Sequence, residues 1–291
     1  MIPKEILKKV RRIEIKTKGL VKDLFGGQYH SAFKGQGMTF SEVREYVPGD
    51  DIRLIDWNVT ARSSQPFVKL FEEERELTVF LMVDVSRSGH FGTEIKFKSE
   101  IAAEIAAVLG FSAINNQDKV GLILFSDHVE KFIAPKKGRL HILRVVREIL
   151  YHKPEGTGTS LSDALDFLIK IAKRKAVVFL ISDFLDNNFW KSLKLANKKH
   201  DLIGLRISDP AEENPPPLGL IKVHDPETAE TFWMDNSSPG LRNKHIKLIK
   251  KHWTQFQKNC DRLKFDLISI RIDRDYIDPL MTYFRRRGKR F

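Results

Sequence analysis

Cysteine is almost missing from this 291-residue sequence, with Cys260 the single one. That excludes an intrachain disulfide and any cysteine-rich zinc site. No apolar run approaches the roughly 18 residues that a membrane-spanning helix requires. The opening Met1-Ile2-Pro3-Lys4-Glu5 and the basic Lys8-Lys9-Val10-Arg11-Arg12 lead into no apolar stretch of the secretory kind. The expectation is a cytoplasmic protein with no membrane span. The sequence also lacks an internal repeat at a period of about 20–50 residues and any low-complexity tract. It has no Gly-x-x-x-x-Gly-Lys-Ser/Thr phosphate loop and no Gly-x-Ser-x-Gly nucleophile elbow. These absences argue for a chain that is not an enzyme.

What is present is ordinary globular material. Hydrophobic residues make up 42% and charged residues 30% of the chain, which argues against disorder. A chain of this size buries about three quarters of its unfolded surface. Lys and Arg exceed Asp and Glu by 50 to 38, a formal charge of +12. Much of the visible basic clustering lies at the two ends, in Lys8-Lys9-x-Arg11-Arg12 and Arg285-Arg286-Arg287-x-Lys289-Arg290. A nucleic-acid-binding protein is therefore an alternative reading, although no recognised nucleic-acid motif accompanies the clusters.

Near residue 76 the sequence changes character, from polar and Gly-rich to apolar runs alternating with helical patterns. Leu77–Val83, Val120–Phe125, Ala176–Ile181 and Leu202–Ile207 read as strands buried on both faces, and Phe265–Ile272 is a fifth candidate strand. Between them, Ile101, Ile105, Val108 and Leu109 keep helical spacing. So do Leu140, Leu143, Val146 and Ile149, then Leu161, Leu165, Leu168 and Ile169, then Ile249, Trp253, Phe256, Cys260 and Leu263. The alternation predicts an α/β fold with a doubly wound, mostly parallel sheet. A smaller N-terminal, β-containing segment over 1–75 should precede the main domain over 76–291. A two-stranded insertion is expected at about 215–236, from Leu218–Val223 and Thr231–Met234 with Asp225-Pro226-Glu227 in the turn.

Ligands of open α/β sheets bind beyond the carboxyl ends of the strands. Asp84-Val85-Ser86-Arg87-Ser88-Gly89 follows the first run and Ser182-Asp183-Phe184 the third, and Gly156-Thr157-Gly158-Thr159-Ser160 opens the helix that starts at Leu161. All three segments should converge on one edge. Their carboxylates and hydroxyls are hard oxygen donors, suited to Mg²⁺, Mn²⁺ or Ca²⁺ and not to zinc. The residue two after Asp84 is Ser86 and not an acid, which disfavours a phosphoaspartate mechanism. A metal-dependent hydrolase is the weakest alternative.

Asp84-x-Ser86-x-Ser88 with a separate Thr159 and Asp183 resembles the metal-ion-dependent adhesion site of the von Willebrand factor A fold. Phe33-x-Gly35-x-Gly37, the run Arg44-Glu45-Tyr46-x-Pro48-Gly49-Asp50-Asp51-x-Arg53-x-Ile55-Asp56-Trp57, Ala61-Arg62, Leu124-Phe125-Ser126-Asp127, Pro135-x-x-Gly138-Arg139 and Gly158-Thr159-x-Leu161 resemble the bacterial family called domain of unknown function 58. The match covers roughly residues 25–185. The resemblance implies a metal touched by the hydroxyls of Ser86, Ser88 and Thr159, with Asp84 and Asp183 acting mostly through bound waters. It also implies an acidic residue of a protein partner completing the coordination, and work alongside a MoxR-type AAA+ ATPase in the assembly or maturation of complexes. Gly89 stands where such proteins frequently carry Met, and the transmembrane helices of many longer relatives are not seen ahead of the signature. Either Thr157 or Thr159 serves as the threonine ligand, with Thr159 directly ahead of the helix.

Other residues have plainer readings. Ser160 is expected to cap a helix, with Asp163 in its first turn. The carboxylates and guanidiniums of Arg44–Trp57 nearly balance. That points to a charge-paired clamp, with a second carboxylate site as the other reading. His245 and His252 read as solvated helix residues, and Cys260 as a core residue.

Overall fold

A computed structural model describes residues 4–21, 26–33, 38–63, 65–73, 76–86, 97–186, 188–214, 216–217, 219–224, 231–235 and 237–289. Two helices come first, α1 (Lys4–Leu20) and α2 (Gly26–Phe33). A two-stranded antiparallel ribbon follows, β1 (Met38–Glu45) with β2 (Phe67–Glu73). Between its strands lie a 3-10 turn at Ile52–Leu54 and the short α3 (Trp57–Thr60). The main sheet then begins with β3 (Thr78–Asp84), α4 (Lys98–Asn115), β4 (Lys119–Phe125) and β5 (Val129–Lys136). It continues through α5 (Arg139–Tyr151), α6 (Leu161–Ile171), β6 (Val177–Ser182), α7 (Trp190–Lys199), β7 (Asp201–Ser208) and α8 (Pro210–Glu213). A second ribbon, β8 (Leu220–His224) with β9 (Thr231–Asp235), precedes α9 (Pro239–Leu263), β10 (Asp266–Arg271) and α10 (Ile277–Gly288).

The six-stranded sheet runs β10-β7-β6-β3-β4-β5, parallel throughout except for β5, which returns antiparallel to β4. Strand alternation divides the core in two. Val79, Leu81 and Val83 of β3 join Val120, Leu122 and Phe179 in one apolar cluster with residues of α1, α2, α4, α5 and α10. Phe80 and Met82 join Ile123, Val178 and Leu180 in the other, with residues of α6, α7 and α9. A strand buried on both faces has no polar side to show, which explains the continuous apolar texture of these segments.

The predicted α/β class and mostly parallel sheet are present, and so is the insertion. Its expected turn, Asp225-Pro226-Glu227, lies outside the described residues. The sequence reading assigned no helix before residue 76, yet Val10, Ile13 and Thr17 of α1 and Tyr29, Ala32 and Phe33 of α2 are buried. Phe33 meets Phe179 and Phe284 edge-on at ring separations of 6.1 and 6.0 Å, so α2 is part of the main core. The C-terminal basic cluster also changes meaning. Arg287 is buried, ion-paired with Asp201 and Asp266, and donates to the Ala32 carbonyl.

The Arg44–Trp57 segment is charge-paired internally. Arg44 makes a two-pronged contact with Asp50 at 2.8 Å on each arm, Arg53 pairs with Asp51, and Asp56 caps α3 through Asn58 and Val59. Each of these carboxyls is held below the ordinary range by its hydrogen-bond donors. Among the described residues no helix is long and apolar enough to cross a membrane.

Candidate functional site

The site grows from the carboxyl ends of β3 and β6, two central neighbours in the sheet. Asp84 is the last residue of β3 and pairs in register with Phe125 of β4. Its Oδ1 accepts from the backbone N–H of Ser86 at 2.9 Å, folding the chain into an Asx turn just past the strand. Its Oδ2 accepts from the Ser182 hydroxyl at 2.8 Å. Ser86 is buried, and Asp183 is buried beside Ser182. Burial and the nearby Asp183 carboxylate push the Asp84 carboxyl up to about 7, although hydrogen bonds from Ser86 and Ser182 oppose the rise.

The turn after β6 is backbone under load. Phe184 adopts φ +59°, a left-handed conformation that bulky residues rarely take. Its N–H donates to the Ser182 Oγ at 3.0 Å, and its ring packs among Phe189, Phe256 and Phe265. Aromatic burial thus holds the turn that carries Asp183.

Two small cavities flank Asp84. One, of about 20 Å³, is bordered by Asp84, Lys98, Ser99, Ser182 and Asp183. The other, also about 20 Å³, is bordered by Asp84, Ser86, Ser99 and His152. Spaces of that size admit a water molecule or a bare ion and exclude an organic substrate.

Thr159 belongs to the loop between α5 and α6. That loop is tied to the end of β4, where the Ser160 N–H donates to the Ser126 carbonyl at 2.7 Å. Glu130 of β5 gathers it from below, accepting from the N–H groups of Glu155 (3.2 Å) and Gly156 (3.1 Å) while pairing with His152 and the Ser126 hydroxyl. A Cβ on Gly156 would lie 2.2 Å from the Ser126 Oγ, so the loop approaches the β4 end as only glycine permits. Thr159 is half-buried, whereas Thr157 is exposed and its N–H donates to Asp127 at 3.2 Å. Ser160 caps α6 through the Asp163 N–H. Ser88 lies outside the described residues, as does Gly89.

The structure therefore joins Asp84, Ser86 and Asp183 at one edge, with the Thr159 loop at the end of the adjacent strand. Sequence reasoning missed Lys98, the first residue of α4. Its ammonium is buried, lies 3.4 Å from the Asp183 Oδ2 and pairs with Glu212 of α8. It also missed Arg206 of β7, which bonds Glu213 at 2.8 Å and stacks 3.3 Å above the Trp253 ring. Neither residue has a spacing signal, because their partners come from distant segments. Among the described residues, no three His, Cys, Asp or Glu side chains cluster as a metal-binding group.

Comparison with known proteins places the chain among bacterial relatives. It is 28% identical over 286 residues to Rv1480 of Mycobacterium tuberculosis, covering 96% of this chain and 89% of the relative. It is 31% identical to YeaD of Bacillus subtilis over 123 residues, covering 42% of this chain and 27% of that protein. Among solved structures it is similar to an aerotolerance-related membrane protein from Bacteroides fragilis, at 13% identity and a TM-score of 0.49, covering 74% of this chain and 100% of that one. It is also similar to BatB from Bacteroides thetaiotaomicron, at 14% identity and a TM-score of 0.47, covering 73% and 99%. Residues 42–255 match the family described as "Protein of unknown function DUF58", and the chain belongs to that family.

Proposed function

We propose that this protein is a metal-dependent protein–protein interaction module of the von Willebrand factor A type, not an enzyme, working with a MoxR-type AAA+ ATPase in the assembly or maturation of protein complexes. The observation that carries the reading is a buried carboxylate, Asp183, a half-buried one, Asp84, and a buried serine, Ser86, at one sheet edge, beside cavities the size of a single water. Asp84, Ser86, Ser88, Thr159 and Asp183 would hold Mg²⁺, with Mn²⁺ or Ca²⁺ as other oxygen-seeking ions. The donor chemistry fits. Asp84 is pushed up by burial and by Asp183, the condition that a nearby cation relieves.

Each residue has a task in this scheme. Ser182 and the Ser86 N–H fix the Asp84 carboxylate in one orientation. Phe184 holds the turn on which Asp183 sits. Lys98 supplies a first positive charge to the acidic pair. A bound divalent ion supplies the attraction for a carboxylate of the partner.

Titration with Mg²⁺, followed by calorimetry and thermal melting, tests the metal. A response in wild type that disappears in Asp84→Ala/Ser86→Ala is expected, and an absent or unchanged response would remove the metal from the reading. For the partner, a purified MoxR-type ATPase from the same organism should be captured by wild type and not by Asp183→Ala. Undiminished capture would show that the contact lies elsewhere.

A further inference from the structure

Near the metal edge, and sharing none of its proposed ligands, lies an open cleft. It has a volume of about 610 Å³ and is bordered by Arg206, Glu213, Ile249, Lys250, Trp253 and Lys258, among others. That volume suits a peptide side chain with its neighbours. Arg206 stands at register with Ser182, one residue before Asp183, so the cleft and the metal edge lie at the same carboxyl end of the sheet, on neighbouring strands.

Arg206 is an unusual wall. It is only 8% exposed, yet its buried Nε finds no hydrogen-bond partner. One guanidinium nitrogen is satisfied by Glu213, and the flat face lies against Trp253. A buried guanidinium with donors to spare is an incomplete arrangement, and a carboxylate is the group whose geometry completes it. Burial lowers the Arg206 pKa, against the opposing pull of the Glu213, Glu212 and Asp183 carboxylates.

The surface leading to the cleft has the same sign. Helix α9 carries seven basic residues against one acid, Asp261. Lys250 and Lys258 at the cleft are exposed, and no described residue from 242 to 252 is buried. The packed part of α9 is its later half, where Phe256 and Cys260 reach the core. Earlier, Ile249 is half-buried at the cleft and Leu248 is 59% exposed. A basic helix with apolar positions, leading to an unsatisfied arginine beside an aromatic ring, complements an acidic segment that also carries apolar side chains.

We infer that the cleft between α8 and α9 is a docking site for an acidic segment of a protein partner, with one carboxylate against Arg206 and the flanking acids along α9. It is a second contact for the partner, and it works without metal.

The probe is a fluorescein-labelled dodecapeptide of alternating Glu, Asp and Leu, followed by fluorescence anisotropy with the full-length protein in EDTA. Binding is expected in EDTA and should weaken as salt rises. The surface variant Lys250→Glu/Lys258→Glu should weaken it about tenfold or more, and Arg206→Met should abolish it. The surface variant leaves the buried arginine in place, so it decides the matter even where Arg206→Met fails to fold. Asp84→Ala should bind the peptide as wild type does. Equal binding by wild type and the surface variant would overturn the proposal. So would tighter, variant-sensitive binding of a single-stranded oligonucleotide of equal charge, which would identify a nucleic-acid surface. Binding that needs Mg²⁺ and vanishes in Asp84→Ala would place the peptide at the metal edge, overturning the cleft while supporting the metal reading.

Discussion

His200 ends α7 with 2% of its surface exposed, and neither ring nitrogen has a hydrogen-bond partner. Burial, with Lys199 adding a little, lowers its pKa to about 4. An unfolded histidine titrates near 6.5, so the fold favours the neutral ring. Its stabilising share is complete above that pH and is lost as pH falls toward 4, at most about 3 kcal/mol. Urea midpoints at pH 7.5 and pH 4.5 should therefore diverge more for wild type than for His200→Phe, and equal divergence would refute the assignment. Asp84 has the opposite sign. Its folded pKa lies above the unfolded value, so its contribution is greatest below about pH 4 and is lost as pH rises through about 7. In EDTA at pH 8, Asp84→Asn should melt higher than wild type, whereas at pH 5 the gap should narrow. Cys260 is buried, and burial raises its thiol pKa to about 12. It should stay inert to thiol reagents until the protein unfolds.

Among the elements, β5 does more than extend the sheet. Its Glu130 collects the loop that carries Thr159, and its side chain is 1% exposed. Glu130→Ala would leave two backbone N–H groups and His152 without their acceptor, at about 2 kcal/mol or more. The loss should appear in thermal melts and, on the metal reading proposed above, in weaker Mg²⁺ binding through the freed loop. Gly204 of β7 shows how closely the strands and their covering residues approach, since a Cβ there would lie 2.6 Å from the Phe265 ring. Gly204→Val should cost about 1–3 kcal/mol. The same elements show what a reader of the sequence can and cannot see. The four inner parallel strands were legible because burial on both faces leaves a nearly unbroken apolar run, and β10, an edge strand whose Leu267, Ile268 and Ile270 stand among polar residues, falls within Phe265–Ile272 as read. Strand β5 was not, because this edge strand pairs Glu130-Lys131 with Phe132-Ile133 and carries Pro135, so it shows neither an apolar run nor a clean alternation. Helix α1 hides its stripe of Val10, Ile13 and Thr17 among lysines and arginines. Asp84, Ser86 and Asp183 were legible because they directly follow strands. Lys98 and Arg206 were invisible, since a buried cation is defined by its distant partners and not by any spacing.

At the scale of the whole molecule, the +12 charge is distributed differently from the sequence impression. The C-terminal cluster loses Arg287 to the interior, while α9 displays its cations to solvent. Arg287 ties α10 to β7, β10 and α2 through Asp201, Asp266 and the Ala32 carbonyl. Arg287→Met would strand Asp201 beside an apolar side chain and should cost about 3–5 kcal/mol in urea unfolding. Arg285→Met and Arg286→Met, both exposed, should cost less than about 0.5 kcal/mol. The Arg287–Ala32 contact closes a span of 255 residues. At translation rates of about 5–20 residues per second, α2 leaves the ribosome roughly 10–50 s before the helix that seals it. Through that interval Tyr29 and Phe33 have no final lid, so the nascent chain should depend on chaperones that shield apolar surface, and its yield should fall when translation is slowed between the two helices.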